Sequence, residues 1–67
     1  MDTSKLAGKI AEKGYNKRSF AEKVGIKYWS FNRRMAGTSE FTLHEVQRMA
    51  DVLEIRNDPS ELQRIFF

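Results

Sequence analysis

Between Lys17 and Gly37 the chain reads KRSFAEKVGIKYWSFNRRMAG, with a small residue at Ala21, a glycine four positions on at Gly25, and an apolar Phe31. No other stretch constrains the fold as much, because this spacing predicts two short helices crossing at a tight turn. Ala21 is small where the second helix of such a pair would press closest. Gly25 can take the positive φ that a three- to four-residue turn between helices needs. Ile26 and Phe31 then anchor the second helix from its inner face.

The punctuation around this frame divides the chain into about five helical pieces, with no confident strand, repeat or linker, so residues 1–67 read as a single all-α domain. The first piece runs from about Ser4 to Lys13, with Leu6 and Ile10 on an inner face, Lys5, Lys9 and Lys13 as a basic stripe outside, and Gly14 as its stop. Asn16 is a good N-cap for the second piece, Lys17 to Val24, whose Phe20 and Val24 share a buried face around Ala21. The third spans about residues 27–36 and closes at Gly37, with Phe31 and Met35 inward. Thr42-Leu-His-Glu45 is a capping box, and Phe41 and Val46 have the spacing of a hydrophobic staple. The fourth piece follows to about Glu54, with Leu43, Val46, Met49, Ala50 and Leu53 inward. Asp58 and Pro59 start a short fifth piece; Leu62, Ile65, Phe66 and Phe67 either seal the core under the fourth helix or form a dimer contact.

A chain of 67 residues supports a core only just large enough to fold without a staple, and there is no cysteine to supply one. With no long apolar run, it reads as soluble and cytoplasmic, with no membrane role. The net charge of +3 is unevenly spread. Residues 1–37 hold nine Lys/Arg against three acids, a net of +6, and residues 38–67 hold three against six, a net of −3. A basic half that contains the two-helix frame is the asymmetry expected if one face meets phosphate.

On the third piece Trp29, Asn32, Arg33 and Ala36 fall on the face opposite Phe31. An α-helix fits the DNA major groove, where Arg33 can bond O6 and N7 of guanine, Asn32 can bond N6 and N7 of adenine, and Tyr28 and Trp29 can rest on thymine methyls or sugar. Lys17, Arg18, Lys27 and Arg34 are the phosphate-contact candidates. Four of these have a plainer reading. Arg33 and Arg34 can be solvated charges, Trp29 can pack on a neighbouring helix or a partner protein, and Tyr28 can be rim packing. His44, the only histidine, reads as a surface residue.

From about Leu6 to Ile55 the chain resembles the phage repressor and Cro-type helix-turn-helix family, the XRE-like regulators. The matching pieces are Asn16-Lys-Arg-Ser-Phe-Ala21, Val24-Gly-Ile26, Phe31, Gly37 and the Leu43 to Leu53 helix followed by Ile55. The small size and the aromatic Ile65-Phe-Phe67 look like small Cro-like proteins of phages and prophages. This resemblance implies a lambda repressor-like bundle of about five short helices. It also implies sequence-specific binding to a double-stranded DNA operator as a transcription regulator, with the third helix in the major groove and a homodimer at least on DNA. Such a protein is expected at the bacterial nucleoid. By position, the family's base-reading sites fall on Tyr28, Trp29 and Arg33 and its helix-two phosphate contact on Lys17. Departures from the family pattern are Lys17 for a common glutamine, Lys27 for a capping Ser/Thr, Arg34 where an apolar residue is usual, and Glu40 where a basic one would be expected.

The chain has no glycine-rich phosphate loop, no cysteine nucleophile and a lone histidine, so neither an enzyme, a cofactor, a metal site nor a small-molecule ligand is expected. The rival reading is a helix-turn-helix scaffold used for protein binding, antitoxin- or antirepressor-like, with the Tyr28, Trp29 and Phe31 region as its anchor.

Overall fold

Five helices follow one another without a strand in the computed structural model, which describes Met1 to Phe67: α1 (Thr3–Glu12), α2 (Lys17–Val24), α3 (Tyr28–Met35), α4 (Leu43–Val52) and α5 (Pro59–Phe66). Their starts are set by short polar side chains that occupy otherwise unpaired first-turn amides. Asp2 accepts from the Lys5 amide at 3.1 Å and Asp58 from the Glu61 amide at 3.2 Å. The predicted Thr42–Glu45 box forms reciprocally, at 3.1 and 2.9 Å. Asn16 forms a second box with Ser19, at 2.7 and 3.0 Å, where a single cap is expected. Only α3 starts without such a partner, because Lys27 has no hydroxyl or carboxylate to offer.

Four helix ends share one closure, in which an amide two or three residues past the helix reaches back five positions. At α2 the Ile26 amide donates to the Ala21 carbonyl at 2.9 Å and the Gly25 amide to Glu22 at 3.2 Å, with Gly25 at φ 89°. The left-handed residue is also a glycine after α1 and α3, but after α4 it is Glu54, at φ 62°. No helix is long and apolar enough to cross a membrane.

The core gathers residues from every helix, with Leu6, Phe20, Phe31, Met49, Leu53 and Ile65 entirely buried. Tyr15, Phe20, Phe31 and Phe41 form a chain of tilted and edge-on rings with centroids 5.7, 5.9 and 5.7 Å apart, running from the start of α2 through α3 to the loop before α4. Phe31 therefore fixes which face of α3 looks inward. α5 folds back on α1, where the Asp2 amide donates to the Ile65 carbonyl at 2.9 Å.

Three expectations change. Lys9 belongs to no external stripe: it is only 9 % exposed, with its ammonium 2.9 Å from Glu12 and 3.6 Å from Glu61, because α5 packs over that side of α1. Its pKa is raised by the hydrogen bond to Glu12, against the opposing effect of burial. Leu43 is not inward but 68 % exposed, since it occupies the first helical position of α4, before the helix turns its apolar face onto the core. The aromatic tail divides: Ile65 and Phe66 are buried and Leu62 packs against the core, whereas Phe67 is 79 % exposed.

Candidate nucleic-acid interface

α3 has a sharply two-sided surface. Phe31 is buried at 0 % exposure and Met35 packs on the same core, while Trp29 stands 62 % exposed with Arg33 one turn further on. Asn32 is half-buried beside them. It lines a groove of about 280 Å³ together with Lys17 from α2 and Thr3 and Ser4 at the start of α1. A candidate base contact and a candidate phosphate contact thus share one concavity. Thr3 and Ser4 join them there, and no local signal in the sequence marks either residue, because only the packing of α1 against α2 brings them close.

Tyr28 is half-buried at the first position of α3 and packs against the core. The guanidinium of Arg18 lies 4.2 Å from the centre of its ring, so α2 and α3 are joined by a cation resting on an aromatic face. No local pattern marks this pairing, because the two residues lie ten positions apart on different helices.

Lys17, Arg18 and Lys27 are exposed, whereas Arg34 is turned inward. Its side chain is 20 % exposed; Nε lies 3.4 Å from Glu45 Oε1 and donates to the Glu40 carbonyl at 3.2 Å, and Nη1 donates to the Ser30 hydroxyl. Arg34 does not join the other three cations. Glu45 already accepts from the Thr42 amide in the α4 capping box, so Arg34 links the end of α3 to the start of α4. The loop carbonyl of Glu40 faces this guanidinium, while the residue itself stays exposed.

Another cation sits at the turn. A Cβ placed on Gly25 would come within 2.6 Å of Arg48 Nη2, which brings this α4 side chain against the α2–α3 connection. The first amides of α3 lack a side-chain acceptor, and at the start of α2 Asn16 occupies only that of Ser19, so both helix starts keep free donors, with Lys17 and Lys27 exposed at those starts. The result is a surface that carries the exposed cations Lys17, Arg18, Lys27 and Arg33, free amides at two helix starts, and Trp29 and Asn32 beside them. Chemically it can neutralise phosphates and offer planar hydrogen-bonding groups between them.

No family model matches the chain, and neither a curated protein nor a solved structure does.

Proposed function

We propose that this protein is a sequence-specific double-stranded DNA-binding regulator of the repressor and Cro type, in which α2, the Gly25 turn and α3 act as a helix-turn-helix and α3 enters the operator major groove. The observation that carries the reading is the two-sidedness of α3: Phe31 holds its inner face while Trp29, Asn32 and Arg33 lie outward, flanked by exposed Lys17, Arg18 and Lys27. Arg33 reads guanine, Asn32 reads adenine, and Tyr28 and Trp29 supply the apolar contacts to thymine methyl or sugar. Lys17, Arg18, Lys27 and the free amides at the two helix starts take phosphates. Arg34 acts instead as a positioning residue, since its charge is already engaged by Glu45.

Selection of random duplexes at two salt concentrations tests the reading. The expected product is a two-fold site with half-sites about 34 Å apart, bound with an affinity that falls by roughly 0.9 logarithmic units per neutralised phosphate for each tenfold rise in salt. Failure to enrich any sequence would overturn it. The exposure of Trp29 favours one rival, a scaffold of antitoxin or antirepressor type that docks a protein through this aromatic. That rival requires partner binding to be lost in Trp29→Ala and kept in Arg33→Ala.

A further inference from the structure

Trp29 is the one exposed large apolar side chain that lines no groove. Met1, Leu43 and Phe67 border hollows at α4 and the end of α5, whereas Trp29 stands 62 % exposed near the start of α3. Its indole also stays out of the aromatic contacts of the fold, since the ring chain runs through Tyr15, Phe20, Phe31 and Phe41 and the Arg18 guanidinium covers Tyr28. From this uncovered indole among cations we propose that the protein also binds single-stranded nucleic acid, with an unpaired base stacked on Trp29 and neighbouring phosphates held by Lys27 and Arg33.

The chemistry of the ring is the first reason. Tryptophan offers one hydrogen-bond donor and a large π-face. In a duplex the base faces are stacked on one another and only edges reach the groove, so an indole there is limited to methyl or sugar contact. An unpaired base presents its face, and each such stack on an aromatic side chain raises affinity by about 5- to 150-fold with little regard to which base it is.

Charge is the second reason. Between Lys17 and Gly37 the chain has six Lys/Arg and a single acid, Glu22. Lys27 lies two residues before Trp29, Arg33 lies one helical turn after it, and both are exposed. A strand crossing the indole therefore meets a cation on either side. The ring is also presented by a stiff element, because Phe31 and Met35 hold the opposite face of α3 on the core.

A protein partner fits this ring less well. Protein interfaces centre on a desolvated apolar cluster, and α2 and α3 carry no other large exposed apolar side chain. The inference uses the surface assigned above to duplex DNA but does not rest on that reading, since stacking requires neither a duplex nor a two-fold site.

Trp29 is the sole tryptophan, so its fluorescence reports the contact directly. Titration of the full chain with a thymidine oligonucleotide of about twelve nucleotides is expected to quench the emission by roughly half or more. A uridine strand of the same length shows whether the sugar matters, and quenching by either strand supports the inference. An abasic strand of equal length, which keeps the phosphates and lacks the faces, should leave the emission nearly unchanged. Trp29→Leu keeps an apolar side chain without a π-face and should weaken binding of a labelled thymidine strand by about 5- to 150-fold, with partial recovery in Trp29→Phe. The residue is exposed, so thermal melts of both variants should match the parent. Absence of quenching by both base-bearing strands, equal quenching by the abasic strand, or unweakened binding by Trp29→Leu would each overturn the stacking. A parent chain that enriches a duplex site without being quenched by unpaired bases sinks this inference alone, and the reverse pattern sinks the duplex reading alone.

Discussion

The Arg18 guanidinium lies 4.2 Å above the centre of the Tyr28 ring, so the cation at the start of α2 and the aromatic at the start of α3 behave as one unit. In the proposed complex Tyr28 faces a base edge, and the orientation of its ring then depends on a residue that itself faces phosphate. A lysine at position 18 keeps the charge but loses the flat surface that stacks on the ring.

Arg18→Lys is accordingly expected to keep the salt dependence of DNA binding and to alter the base preference at the position Tyr28 faces. Arg18→Ala is expected to do that and also to lower the salt slope by about 1. Selection with each variant provides the comparison. A lysine variant with an unaltered site would show that Arg18 contributes charge alone.

Arg33 is exposed and has no partner of its own in the fold, so its removal should leave stability within about 0.5 kcal/mol of the parent. Arg33→Ala is expected to cost about 1–3 kcal/mol of discrimination at one base pair in each half-site. Binding to a panel of single-base operator variants measures this. Equal losses on every variant would mean that Arg33 touches phosphate rather than a base.

Glu54 closes α4 in the left-handed conformation, at φ 62°, where the other three ends of this type use glycine. The side chain adds a steric cost that glycine lacks, partly offset by the greater freedom of glycine in the unfolded chain. Glu54→Gly is expected to stabilise the fold by about 0.5–1 kcal/mol, raising the melting temperature by roughly 2–8 °C. The reverse logic applies at Gly25. Alanine there is expected to destabilise by about 1–2 kcal/mol, mainly through the backbone, because the nearby Arg48 guanidinium can swing aside.

Glu61 accepts from Arg64 and faces the Lys9 ammonium, and these contacts, the Arg64 hydrogen bond foremost, hold its pKa below the ordinary 4.5. A carboxylate whose pKa is lowered by folding stabilises above its unfolded value and loses that contribution as the pH falls through the lowered one. Thermal melts should therefore show Glu61→Gln less stable than the parent at pH 7, with the gap closing below about pH 4. Lys9, whose pKa is raised above 10.5, contributes with the opposite sign: its share persists below that value and is lost only as the medium becomes more alkaline still.

The helices were legible because their signals are local. Thr42 and Glu45, Asp58 and Pro59, and the glycines at 14, 25 and 37 each act within one turn of the backbone, and the structure forms every one of these caps and stops. The buried face of α3 was legible for a related reason, since a helical period through Phe31 and Met35 leaves only one apolar side. Helical periodicity erred where a residue lies at the edge of an element. Leu43 has the right spacing to face inward, but at the first position of α4 no neighbouring helix covers it.

Local signals in the chain specify the five helices, the caps at Asn16, Thr42 and Asp58, and which residues of α3 lie opposite Phe31. Tertiary structure alone decided how charges far apart in the chain are used. Lys9 is drawn under α5 because Glu61 arrives from far along the chain, and Arg34 is withdrawn from the cationic surface because Glu45 and the Glu40 carbonyl bind it. Arg18 comes to rest on Tyr28 only once the Gly25 turn brings α3 back against α2. The physical reason is range: a cap or an amphipathic stripe is set by neighbours one turn away, whereas a flexible charged side chain adopts whichever partner the packed helices bring within reach.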